Sequence, residues 1–111
     1  MNEQVAHILI IEDEPITRRH LSSHFEREGY TVTDVADADG VLERISEDSI
    51  DLCLLDINLP GKDGLTLTRG IRAKFDIGII LVTGKDNQID RIVGLESGAD
   101  NYMTKPFDPC R

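Results

Sequence analysis

Two apolar runs in this chain stop on acids. His7-Ile-Leu-Ile-Ile11 is followed at once by Glu12-Asp13-Glu14, and Leu52-Cys-Leu-Leu55 is followed by Asp56. Ile57-Asn-Leu-Pro60-Gly61 then turns the chain. Short apolar runs bounded by turn signals read as buried strands, so these acids stand where strands leave a core. A third run, Ile77 to Val82, leads into Thr83, and a half-polar run, Asn101-Tyr-Met-Thr104, leads into Lys105. In a parallel sheet all these ends share one rim, which is where ligands bind in open α/β folds. Clustered carboxylates repel unless a cation joins them. Oxygen-only ligands select a hard ion, and Mg²⁺ suits a few carboxylates plus waters.

Glu12 and Asp13 therefore read as metal ligands, with the backbone carbonyl of Asn58 as a further one. Asp56 reads as the nucleophile, because a carboxylate can accept a phosphoryl group covalently. Lys105 and the Thr83 hydroxyl can clamp the same phosphoryl oxygens. Phosphoryl transfer asks mainly for positioning and charge neutralisation, which this set supplies. Taken singly the signals are weak. Glu12-Asp13-Glu14 also reads as a solvated loop with capping acids, Thr83 as an ordinary strand end and Lys105 as a surface lysine. Their recurrence at successive strand ends is hard to obtain by accident.

The elements that must position them follow from pattern. His7–Ile11 is the first strand. Pro15 suits the first residue of a helix. Leu21 and Phe25 give that helix a thin apolar stripe, and Gly29 stops it. Thr31-Val-Thr-Asp-Val35 alternates, as an edge strand does. Asp37 is expected to cap the next helix, whose stripe is Ala38, Val41, Leu42 and Ile45. Leu52 to Leu55 is the third strand. Leu65 to Ala73 reads as a helix weakened by Gly70. Ile77 to Val82 is a strand expected to be buried on both faces. Ile89, Ile92 and Val93 mark another helix, closed by Gly98, and Asn101–Thr104 is the last strand. Strands alternating with helices argue for a parallel sheet. Apolar strands belong at its centre and half-polar ones at its edges, which gives the order 2-1-3-4-5.

Composition narrows the function. The chain has 111 residues, enough for one domain, and 40% of them are hydrophobic. Its net charge is -9. A nucleic acid repels such a surface, so no DNA contact is expected through this domain. No run approaches the roughly 18 apolar residues of a membrane span. The two cysteines, Cys53 and Cys110, suit reduced thiols in a cytoplasmic protein.

The stretches Ile-Ile-Glu12-Asp13-Glu-Pro, Leu-Leu-Asp56-Ile-Asn-Leu-Pro-Gly, Leu-Val-Thr83-Gly and Gly-Ala-Asp-Asn-Tyr-Met-Thr-Lys105-Pro-Phe resemble the receiver domain of two-component response regulators. Gly94-Leu-Glu-Ser-Gly-Ala-Asp100 with Lys105-Pro106-Phe107 is similar to the OmpR/PhoB group. Asp-Ile-Asn-Leu-Pro-Gly and Thr-Gly-Lys-Asp-Asn look most like its ArcA/TorR branch. The resemblance implies a flavodoxin-like (βα)₅ doubly wound sheet. It implies phosphoryl transfer from a sensor histidine kinase or phosphotransfer domain to Asp56 with Mg²⁺. It further implies a Thr83 and Tyr102 switch, a cis bond before Pro106 and a dimer face at Arg91, Glu96, Asp100 and Asn101. A homodimer is expected in the full-length phosphorylated protein, which carries a DNA-binding domain downstream of residues 1–111.

Two departures qualify the resemblance. Asn101 stands where the family usually has an acid that pairs protomers. The chain also stops where a fifth helix should begin, so that helix is expected to be missing or truncated. An uncovered strip is then expected near Leu9, Leu54 and Met103. The rival function is a Mg²⁺-dependent phosphohydrolase using an aspartyl-phosphate. Such enzymes carry a second Asp two residues after the nucleophile, where this chain has Asn58. A nucleotide or flavin module would need glycines in the first loop, which here is Glu12-Asp-Glu-Pro15. The expectation is a phosphoacceptor switch and not a turnover enzyme.

Overall fold

A computed structural model describes residues 5–56, 64–83 and 98–104. The side chains of Thr83 and of residues 102–104 lie outside that description. The strands are β1 (His7–Ile11), β2 (Thr31–Val35), β3 (Leu52–Asp56), β4 (Gly78–Thr83) and β5 (Asn101–Thr104). The helices are α1 (Pro15–Arg27), α2 (Val41–Asp48) and α3 (Gly64–Lys74). The strands form one parallel sheet in the order β2-β1-β3-β4-β5, as the burial demands of the five runs require. The helix expected at Ile89, Ile92 and Val93, and the fifth helix position after Lys105, lie outside the described residues.

Alternation along the strands divides the core in two. Ile8, Ile10 and Leu54 pack beneath α1, where Leu21 is buried and Phe25 partly so. Leu9, Ile11, Cys53, Leu55, Ile79 and Leu81 point the other way. They meet Val41 and Ile45 of α2 and Leu67 and Ile71 of α3. This corrects one expectation. Leu9 does not share a strip with Leu54, because Ile10 is the residue in register with Leu54, and side chains alternate faces with period two. On the α1 face Leu54 is buried, while Leu52 and Ile80 are only partly covered. Met103 has its side chain outside the described set.

Local chemistry explains the helix bounds. Glu14 caps α1 by accepting from the Thr17 amide at 2.9 Å, and Pro15 follows as its first residue. Gly29, at φ 99°, takes the left-handed turn that ends α1. Asp37 does not cap α2. Its carboxylate accepts from the Asp39 amide at 3.0 Å, closing a tight turn instead. The chain then turns left-handed at Gly40, φ 74°, and α2 begins only at Val41. Ala38 precedes the helix but still packs against the core.

Cys53 sits at the centre of this core. Burial pushes its thiol up to about 12, from 9.0. Its thiolate is therefore scarce, and the native thiol is expected to resist alkylation at pH 8 until the chain unfolds. Peptide mapping after iodoacetamide, with and without denaturant, checks this. The same shift makes stability fall as pH rises from 9.0 towards 12. The unfolded thiol loses its proton in that window while the folded one keeps it.

Candidate functional site

The carboxyl ends of the parallel strands form one rim, and acids arrive there from β1 and β3. Glu12 follows β1 directly. Its amide donates to the Val35 carbonyl at 3.0 Å, so it continues the ladder with β2. Its side chain is buried, at 1% exposure, and its Oε2 accepts from the Glu14 amide at 3.1 Å. Asp13 is exposed. Asp56 is the last residue of β3, paired with Val82, and is 5% exposed. The sequence placed it just after the strand; the ladder extends through it.

Glu12, Asp13 and Asp56 each offer a carboxylate oxygen within 4.8 Å of the others. Two of these acids are buried, so their mutual repulsion is poorly screened. A cation among them removes that repulsion. Among the described residues every donor is a hard carboxylate oxygen and no sulfur or imidazole joins them, which fits Mg²⁺ better than a softer metal.

Thr83 closes β4 and pairs in register with Thr104 at the end of β5, on the same rim. The side chains of Thr83 and Tyr102 lie outside the described residues. So do Asn58, Lys105 and Pro106, and Arg91 and Glu96 of the expected dimer face.

Asp100, also assigned to that face, is bonded within its own chain. One carboxylate oxygen accepts from the Ile79 amide at 2.8 Å and from Arg72 Nη2 at 2.7 Å. The Asp100 amide donates to the Ile79 carbonyl at 2.8 Å, and Arg72 Nε donates to the Gly98 carbonyl at 3.0 Å. Asp100 thus opens β5 against β4 and ties it to α3. Asp100→Ala is expected to lower stability by about 1 to 2 kcal/mol, because it strips an acceptor from a backbone amide. Urea unfolding at low protein concentration reads this apart from any dimer contact.

Sequence reasoning missed Arg18. It lies in the first turn of α1, and its Nη1 donates to the Glu12 carbonyl at 2.9 Å. Only its spacing, one helical turn after an acid pair, hinted at that contact.

A sequence profile described as the response regulator receiver domain matches residues 8–111. The chain belongs to that family. It is 56% identical over 102 residues to the TorCAD operon transcriptional regulatory protein TorR of Escherichia coli K12, a match covering 92% of this chain and 44% of that one. It is 50% identical over 106 residues to the aerobic respiration control protein ArcA of the same strain, covering 96% and 44%. The chain thus spans under half the length of these curated relatives. The crystal structure of the TorR receiver domain superposes with a TM-score of 0.86 at 55% identity, covering 93% of this chain and 86% of that one. The BeF₃-activated receiver domain of Klebsiella pneumoniae RstA gives 0.87 at 35% identity, covering 94% and 89%. The receiver domain is the phosphoacceptor module of a two-component response regulator. The phosphohydrolase reading is not favoured by this match.

Proposed function

We propose that Asp56 accepts a phosphoryl group from a phosphohistidine on a sensor kinase or phosphotransfer domain. A carboxylate oxygen of Asp56 attacks phosphorus, the P–N bond breaks, and the electron pair returns to the imidazole nitrogen. The observation that carries this reading is the meeting of three carboxylates within 4.8 Å, with Asp56 at the strand end. Glu12, Asp13 and Asp56 would hold Mg²⁺, with the Asn58 carbonyl as a further ligand. When bound, the ion neutralises charge between these acids and the incoming phosphoryl oxygens. Lys105 and Thr83 are assigned to those same oxygens, and Thr83 with Tyr102 to the switch that follows.

The length of the relatives and the printed functions of TorR and ArcA support a wider reading. The phosphorylated domain controls a DNA-binding domain downstream in a cytoplasmic transcription regulator. The net charge of -9 argues that DNA is not held by this domain. A dimer face around Arg91, Glu96, Asp100 and Asn101 suits the phosphorylated state, and Asp100 stays exposed beside its Arg72 ion pair.

Incubation with acetyl phosphate and Mg²⁺ is expected to leave close to one acid-labile phosphoryl group per chain. Phosphate release continuing over many turnovers would instead mark a hydrolase and overturn the switch reading.

A further inference from the structure

The acid loop is held by more bonds than the proposed chemistry uses. The Glu12 amide is fixed by the Val35 carbonyl of β2. Asp13 lies one residue further on, exposed and beyond that ladder bond. The Glu12 carbonyl and the Asp13 amide share one rigid peptide plane. Whatever holds that carbonyl therefore fixes where Asp13 starts. Arg18 holds it. Its Nη1 donates to the Glu12 carbonyl at 2.9 Å and reaches the Asp13 carbonyl at 3.5 Å, a contact at the limit of a hydrogen bond. The turn is closed on itself by the Glu14 amide on Glu12 Oε2 at 3.1 Å and the Thr17 amide on Glu14 Oε1 at 2.9 Å.

Resting on the phosphoacceptor reading above, we propose that Arg18 is a positioning residue for the acidic site. It pins the Glu12–Asp13 peptide so that the carboxylates of Glu12 and Asp13 meet that of Asp56. Arg18 is partly buried, and both contacts come from its Nη1, whose two N–H bonds are fixed in the guanidinium plane. Its charge acts against its geometry. A guanidinium close to the acids lowers their attraction for a second cation, while a correctly placed pair of acids raises it. Groups standing behind metal ligands commonly change metal affinity about 10- to 100-fold, so the geometric effect is expected to win.

Arg19 supplies the control. It is the next residue, exposed, and carries the same charge. Arg18→Met and Arg19→Met each remove one positive charge from the first turns of α1, but only the first removes the Nη1 bond to the Glu12 carbonyl. Mg²⁺ titration followed by amide NMR is expected to give a Kd about tenfold weaker for Arg18→Met than for Arg19→Met. Arg18→Lys, which keeps the charge and an N–H donor on a shorter side chain, should recover part of the loss. Without metal, exchange of the Glu14 amide should be several-fold faster in Arg18→Met than in Arg19→Met. Equal Mg²⁺ affinities and equal Glu14 exchange in the two methionine variants would overturn the proposal. Wild-type protein that binds no Mg²⁺, yet shows the Arg18-dependent exchange, would count against the metal reading and leave the positioning role standing.

Discussion

Asp56→Asn is expected to reduce phosphoryl labelling to background while the domain stays folded. The amide keeps the shape of the carboxylate and can occupy the same place at the end of β3. It lacks the charged oxygen that attacks phosphorus. Asp56 is 5% exposed and lies within 4.8 Å of two other acids. Removing its charge relieves repulsion in a poorly screened place, so the melting temperature should hold or rise. Labelling with acetyl phosphate, read by intact mass, checks the first part, and a thermal melt without metal checks the second. Labelling at the wild-type rate would remove Asp56 from the reaction.

Asp13→Ala carries the second large effect. Asp13 is the exposed member of the acid cluster, so its loss leaves no cavity and frees no buried partner. Without metal the variant should be no less stable than wild type, because one like charge has gone. Its Mg²⁺ affinity should fall at least tenfold, since even groups behind a ligand change affinity by about that much. Mg²⁺ should then raise the melting temperature of wild type much more than that of the variant, as a ligand stabilises in proportion to its occupancy. Equal shifts at equal Mg²⁺ would show that Asp13 is not a ligand.

Much of the architecture was legible because it rests on short-range signals. β1, β2 and β5 run between the residues at which their patterns change. Their polar or apolar character set their order in the sheet, because a strand covered on both faces must be apolar on both. The failures share a cause. The start of α2 depends on Gly40 taking a left-handed turn after Asp37 has bonded to the Asp39 amide, a competition that the apolar stripe does not record. Leu9 was given to the wrong face because register, and not character, decides which side a strand residue faces. The site was legible as a set of acids at strand ends. Arg18 was not, since a cation reaching back to a backbone carbonyl leaves no pattern in composition or period. The Arg72 contacts to Gly98 and Asp100 were hidden in the same way, 26 and 28 residues apart in the chain.

The central claim is the address of the phosphoryl group. An acyl phosphate on an aspartate is reduced by borohydride to homoserine, which peptide mass spectrometry can place. After incubation with acetyl phosphate and Mg²⁺, then reduction, homoserine is expected at position 56 and at no other acid. A reduced residue at Asp13, or a stable phosphoryl group on a histidine, would contradict the account.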